Sequence, residues 1–404
     1  MRRFPSSVLL AAALSVLAGC VTMGTTSGPS VGPGSAAPAA GETDVAYEGV
    51  RLDVIVPIFD PGLPEDPDDY ENEDVWPELR RAEANRFAVA LRQALQATQV
   101  FGDVRVSPDS EATGDLYVMG RIEKSNGQDV KIAIEAVDIS GRRWLRERYR
   151  HRVKEQFWRD PRNAGIDPYQ PVFDEAAEDV AALVKRRSSP ELTELRRIAE
   201  IRFAKSLSET AFAEYVEERG GRVTLTALPD RSDPMLERTR AIRVREGLFM
   251  DRMQTQYEAF AQRTDPSYAA WQEHSLTEVK ARNEARGRAL VQGVVGAALA
   301  IGGAYAAIKG GGEYDPGTEV AGITAAIAGG VLIAKSFESS AEGRVHADAL
   351  TELGDSLDVE VASQVVELEG TTTELTGDAR EQFRQWRAFL RRIYDEERTP
   401  ENSI

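Results

Sequence analysis

Six small residues, Ala289, Gly293, Gly296, Ala300, Gly303 and Ala307, recur at spacings of four, three, four, three and four. That puts all six on one face of an α-helix, while Leu290, Val294, Ile301, Tyr305 and Ile308 line the others. Glycine costs about 1 kcal/mol per residue in a water-exposed helix. Such a sequence therefore needs another backbone packed against its small face, or an apolar environment around it. Lys309 to Gly317 is a turn with three consecutive glycines and an Asp-Pro-Gly, after which Thr318, Gly322, Ala325 and Gly329 repeat the spacing until Leu332 interrupts it. The expectation is an antiparallel helical hairpin over residues 289–336. Ala289–Ile308 would extend about 30 Å, enough to cross a bilayer, whereas Val320–Ala334 would extend about 22 Å, which is not. Membrane insertion, a buried or oligomer-core hairpin, and an ordinary intradomain hairpin all remain open at this stage.

The hairpin resembles the glycine-zipper two-helix segment of some outer-membrane lipoproteins. The other end of the chain carries a second likeness. Arg2 and Arg3 precede an apolar run from Val8 to Leu17, followed by Leu17-Ala18-Gly19-Cys20, the pattern of a secretory signal with a small-residue cleavage site. The run is too short to span a bilayer. Cys20 is the chain's only cysteine, and Leu-Ala-Gly-Cys resembles a bacterial lipobox. The resemblance implies a covalent diacylglycerol on Cys20, cleavage before it, and acylation of the new amino terminus. With Val21 after the cysteine it implies outer-membrane sorting and a periplasm-facing body. Several acyl chains, each contributing about 0.8 kcal/mol per buried CH₂, would hold the protein on the membrane.

Composition narrows the partners. The formal charge is −17, nearer −19 once Arg2 and Arg3 leave with the signal. Nucleic-acid binding is not expected of so acidic a chain. A single cysteine allows no disulfide within the chain, so the fold must rest on packing, not on staples. Residues 20–46 comprise the lipidated Cys and a Gly, Ser, Pro and Ala-rich tether without apolar periodicity, with a reach of roughly 28 Å. Gly28-Pro29-Ser30-Val31-Gly32 matches a nucleophile elbow in letters only, because a linker supplies neither the strand before it nor the helix after it.

The predicted fold class is α+β. It comprises a sheet-plus-helix domain over 47–187, a helical region over 188–288, the hairpin over 289–336, and a helix, β-hairpin and C-terminal helix over 337–404. Leu52 to Phe59 reads as a buried strand. From about Glu78 follows a helix with Ala84, Phe87, Ala88, Leu91 and Leu95 on one face. Val104–Val106, Leu116–Ile122 and Val130–Ile139 read as strands, the last two joined by an Asn126-Gly127 turn, and Arg142 to Leu145 begin a fifth. Ala94-Leu95, Phe101, Val104 to Pro108, Asp115 to Ile122 and Val130 to Trp144 resemble the α/β domain of the curli-secretion lipoprotein and the Tol amino-terminal domain. That resemblance implies a scaffold that meets envelope proteins or itself as a homo-oligomer. Further on, helices are expected over about 173–187 and 189–219, the second ending at Gly220-Gly221, with Val223–Thr226 strand-like. Met235, Ile242, Phe249, Met253, Tyr257 and Phe260 form the stripe of a long helix that Asp265-Pro266 should break, Asp capping the next. Tyr268, Trp271, Leu276 and Val279 follow. Val359–Leu368 and Thr371–Thr376 read as a strand pair, and Asp378 caps a last helix carrying Phe383, Trp386, Leu390, Ile393 and Tyr394.

Catalytic patterns are sparse. His151, His274 and His346 share no motif, and no enzyme activity is expected. The acidic loop Asp60–Asp74 offers hard oxygen donors for Ca²⁺ in Asp60, Asp66, Asp68 and Glu71, without the Asp-x-Asp-x-Asp-Gly of an EF-hand. It is the basis of the alternative reading, a carboxylate-dependent or metal-assisted periplasmic hydrolase. The alternating Arg238, Arg240, Arg243 and Arg245 offer charge for a phosphate, but pairing with the nearby Glu237 and Glu246 is the expectation.

Overall fold

The computed structural model describes residues 47–70, 75–291, 341–355, 359, 361, 363–368 and 371–396. The signal segment, Cys20, the tether, Glu71 and the hairpin beyond Val291, with Gly293, Gly296, Ala300, Gly303, Ala307, Gly322, Ala325 and Gly329, lie outside the described residues. Among the described residues no helix is long and apolar enough to cross a membrane.

Val54–Pro57 (β1) is buried at all four positions, as its unbroken apolar run requires of a strand covered on both faces. It pairs in parallel with Val104–Ser107 (β2) on one side and Leu116–Ser125 (β3) on the other. Asp129–Asp138 (β4) and Arg143–Arg152 (β5) continue antiparallel, giving the order β2-β1-β3-β4-β5. Strand β4 alternates strictly, with Val130, Ile132, Ile134 and Ala136 buried and the intervening residues half-buried. The buried face of the sheet meets Pro77–Ala97 (α1), which packs on β1, β2 and β3, and Gln170–Lys185 (α2), which packs on β4 and β5. Phe87 of α1 makes edge contacts with Phe59, Tyr169 and Phe173 at ring distances of 6.2, 6.1 and 5.1 Å. The chain is thus mixed α+β, with the five-stranded sheet at its amino-terminal end.

The β3–β4 turn falls at Asn126-Gly127. Gly127 has φ +79, and a Cβ there would lie 2.6 Å from Ser275 Cβ and 2.9 Å from the Gln272 carbonyl oxygen. Glycine is required twice over, for its backbone and for the close approach of the long helix.

Two expected boundaries are corrected. The helix expected over 189–219 is Ser189–Leu207 (α3). Ser208 turns extended, and after two short helical turns, Glu209–Phe212 and Ala213–Tyr215, the chain returns as Val216–Arg219 (β6), paired with Arg222–Leu225 (β7). Gly220 and Gly221, at φ +61 and +74, form a hairpin turn and not a helix stop. Asp265-Pro266 does not break the chain either: Pro234–Val291 (α4) is one helix with Pro266 inside it. Its buried stripe runs through Ile242, Phe249, Met253, Tyr257 and Phe260 and continues past the proline through Tyr268, Trp271, Leu276 and Val279.

Helix α4 covers the β2 edge, where Gln254 Oε1 accepts the Val106 N–H at 2.9 Å, so that edge is not left open to pairing. Ala341–Gly354 (α5) packs on α1 and α4. Gln364–Leu368 (β8) and Thr371–Leu375 (β9) pair antiparallel, and Ala379–Glu396 (α6) begins with Asp378 Oδ1 accepting the Glu381 N–H at 2.8 Å. Its Phe383, Trp386, Leu390, Ile393 and Tyr394 are buried, with Trp386 stacked 5.1 Å from Phe249. The stretches 47–187, 188–288 and 337–404 therefore contribute to one core.

Candidate functional site

The described acids of the acidic loop, Asp60, Glu65, Asp66, Asp68 and Asp69, are exposed. Asp60 Oδ2 lies 2.9 Å from Arg121 Nη1, and its Oδ1 accepts the Gly62 N–H. Asp66 caps a short turn by accepting the Asp68 N–H at 3.0 Å, and Asp68 is exposed. No group of three or more His, Cys, Asp or Glu that could hold a metal occurs among the described residues. The histidines stand apart on β5, α4 and α5, with His346 Nδ1 3.1 Å from Ser267 Oγ.

A cleft of about 630 Å³ opens elsewhere. It lies at the amino ends of the three parallel strands, where an aspartate immediately precedes each: Asp53 before β1, Asp103 before β2 and Asp115 before β3. These acids stitch the strand ends together. Asp53 N–H donates to Asp115 Oδ2 at 2.8 Å, Asp115 N–H to the Asp53 carbonyl at 2.8 Å, and Asp103 N–H to Asp53 Oδ1 at 3.2 Å. Asp53 and Asp103 line the cleft, whereas Asp115 is fully buried behind it.

Helices α3 and α4 supply the opposing charge. Arg243 Nη2 sits 3.8 Å from both Asp53 Oδ2 and Asp115 Oδ1. Arg105 bridges Asp103 and Asp251 at 2.9 and 2.7 Å, and Arg240 Nε meets Glu200 at 2.5 Å. Arg240 and Arg243 thus make their ion pairs on other elements, not with the expected Glu237 and Glu246. Glu246 is buried and accepts from the Thr113 N–H and hydroxyl at 3.2 and 3.1 Å. Burial, with the Asp53 charge beside it, pushes Asp115 up to about 6 against the pull of the Asp53 amide, Arg243 and Arg196. Arg196 and Arg197, on the exposed side of α3, line the rim together with the exposed Val244 and Leu248.

Chemically the cleft balances arginines against carboxylates, with the apolar Val244 and Leu248 on its rim. The signal that could have revealed it is the Asp-hydrophobic step repeated at Asp53-Val54, Asp103-Val104 and Asp115-Leu116, three acids that fall at the same end of three parallel strands. No protein family, curated protein or solved structure matches the chain.

Proposed function

We propose that the chain is a lipid-anchored protein of the bacterial outer membrane, facing the periplasm, that serves as a structural or assembly component and not as an enzyme. The observation that carries the reading is Leu17-Ala18-Gly19-Cys20, with the only cysteine of the chain standing behind a charged and then apolar leader. The body supports a scaffold role through the use it makes of its buried acids. Glu83, Asp115 and Glu246 each tie different elements together, to Ser125 and Tyr268, to Asp53, and to Thr113. Envelope proteins or a second copy are the proposed partners, with the 289–336 hairpin as the contact element.

The hydrolase alternative calls for two converging carboxylates. In the described part of the acidic loop, Asp60 is taken up by Arg121 and Asp66 by the turn it caps. A reading moved to Asp53 and Asp115 meets a carboxyl walled off from the cleft.

The test is metabolic labelling with a clickable fatty acid in the bacterium that makes the protein. Parent chain should take up the label, and Cys20→Ser should remain an unlabelled precursor. Equal labelling of the two would remove the anchor. Crosslinking in membranes, with crosslinks mapped to 289–336, identifies the partner; a chain that crosslinks to nothing would end the assembly reading.

A further inference from the structure

Strand β5 reads Arg143-Trp144-Leu145-Arg146-Glu147-Arg148-Tyr149-Arg150-His151-Arg152. Its register against β4 settles where the arginines point. Arg152, Arg150, Arg148, Arg146 and Arg143 pair with Asp129, Lys131, Ala133, Glu135 and Val137, the residues of β4 that face away from the helices. Tyr149, between them, points the other way and donates its hydroxyl to Asp179 of α2 at 2.9 Å. A β-bulge at Ala136/Val137 keeps Arg143 in phase with the rest. All five arginines therefore stand on the side of β5 turned away from α1 and α2, along the edge strand of the sheet, in a chain whose net charge is −17.

Carboxylates on this face neutralise only part of the row. Arg143 meets Glu135, Arg148 meets Glu123 at 2.6 Å, and Arg152 meets Asp129 at 2.6 Å. Lys131 shares Glu123 and Lys124 shares Asp129. Seven cations stand against three carboxylates, and Arg146 and Arg150 carry no ion pair among the described residues. Arg148 and Arg152 remain 67% and 70% exposed even within their pairs. At the β3–β4 end a shallow cavity of about 490 Å³ opens between Lys124, Lys131, Arg150 and Arg152, four cations around the single carboxylate of Asp129.

Charge on an edge strand guards against edge-to-edge pairing, but that needs neither five arginines in phase nor two left unpaired. The large exposed apolar side chains among the described residues, Val244, Leu248, Val345 and Val365 among them, lie on other elements. A protein interface ordinarily centres on buried apolar or aromatic anchors. A flat row of guanidiniums without such a centre complements a planar array of phosphates.

We propose that the outward face of β5, through Arg143, Arg146, Arg148, Arg150 and Arg152, docks on the phosphate headgroups of an anionic bilayer. The proposal goes beyond the acyl anchor and does not depend on it. It gives the body an orientation: the β5 edge toward the lipid, and the acidic remainder away from a surface that would repel it.

The experiment uses the full chain carrying Cys20→Ser, so that no acyl chain contributes, and co-sedimentation with vesicles of phosphatidylcholine alone or mixed with phosphatidylglycerol. Binding is expected on the anionic vesicles only. It should weaken about thirtyfold in Arg146→Gln/Arg150→Gln, at roughly 1 kcal/mol per basic residue near the surface, and vanish near 1 M salt, where screening acts over about 3 Å. Because neither arginine is ion-paired among the described residues, the double variant should melt like its parent, which circular dichroism checks. Equal binding to both vesicle types, or binding that the double variant leaves unchanged, would overturn the proposal and shift the interaction to another segment. No binding at all would overturn it too. Retention on polyglutamate beads that the double variant loses, without vesicle binding, would assign the face to an acidic polypeptide. Acyl labelling at Cys20 reads the anchor separately, so the two ideas fail independently.

Discussion

The guanidinium of Arg86, on α1, donates to the hydroxyl oxygen of Thr264 at 2.6 Å, two residues ahead of the proline inside α4. The same Nη1 also reaches the Ala261 carbonyl at 2.7 Å and Asp265 Oδ1 at 2.6 Å, and the guanidinium lies 4.4 Å from the centre of the Tyr268 ring. A proline within a helix removes one N–H and crowds the carbonyl a turn back. Here the turn that loses a donor is met by one from another helix, and the buried Thr264 hydroxyl adds bonds to the Phe260 and Ala261 carbonyls. These bonds brace the turn around Gln262, whose carbonyl Pro266 leaves without its usual N–H donor.

Arg86→Ala should therefore cost about 2–4 kcal/mol, from the loss of charge-assisted hydrogen bonds and the ring contact. Amide exchange around residues 258–268 should quicken more than exchange in the sheet. Urea unfolding and exchange mass spectrometry read the two effects. A variant within about 0.5 kcal/mol of its parent, with exchange unchanged, would mean the proline is tolerated for some other reason.

Glu83 joins α1, β3 and α4 from the middle of the core. The Ser125 hydroxyl donates to its Oε1, the Tyr268 hydroxyl does so at 2.8 Å, and Arg80 Nε lies 3.5 Å from Oε2. Burial pushes its carboxyl up, while Arg80 and the two hydroxyls pull it down. Glu83→Ala leaves the Arg80 charge and two hydroxyls buried without their acceptor and should cost about 3–5 kcal/mol. Glu83→Gln keeps an oxygen at Oε1 and should cost clearly less. Thermal melts compare them, and equal losses would show that packing, not the acceptor, carries the effect.

Alternation and caps made much of this fold legible before any coordinates. The β4 pattern, the Asn126-Gly127 turn, the Phe87 face of α1 and the Asp378 cap are all local signals whose physics is complete within a few residues. The misread elements depend on partners far along the chain. Pro266 reads as a break because the guanidinium that braces its turn, Arg86, is 179 residues from Asp265. Val216-Glu217-Glu218-Arg219 reads as helix because Glu and Arg are good helix formers, and only its pairing with Arg222–Leu225 makes it a strand. The cleft was harder still. Asp53, Asp103 and Asp115 are scattered over 63 residues, and only the parallel order of β2, β1 and β3 brings them to one end. The arginines of β5 alternate plainly in the sequence, but the side of the sheet they share follows from the β4 register.

Asp115 makes the cleft's electrostatics measurable. Its carboxyl, near 3.8 in an unfolded chain, is raised to about 6 in the fold, chiefly by burial and by the neighbouring Asp53 charge. Between those two values the folded chain holds a proton that the unfolded chain has released. The stability this group contributes is therefore full below about pH 4, falls as pH rises to about 6, and is level above that. Asp115→Asn removes the titration while keeping an oxygen to accept the Asp53 N–H. Urea unfolding of both chains between pH 4 and pH 7 should show the parent gaining on the variant as pH falls, by up to about 3 kcal/mol. Glu83 and Glu246, which burial also raises, are present in both chains and cancel in the difference. Parallel curves across that range would mean that Arg243, 3.8 Å away, holds Asp115 ionised, and that the amino ends of the strands carry a fixed ion pair in place of a titrating acid.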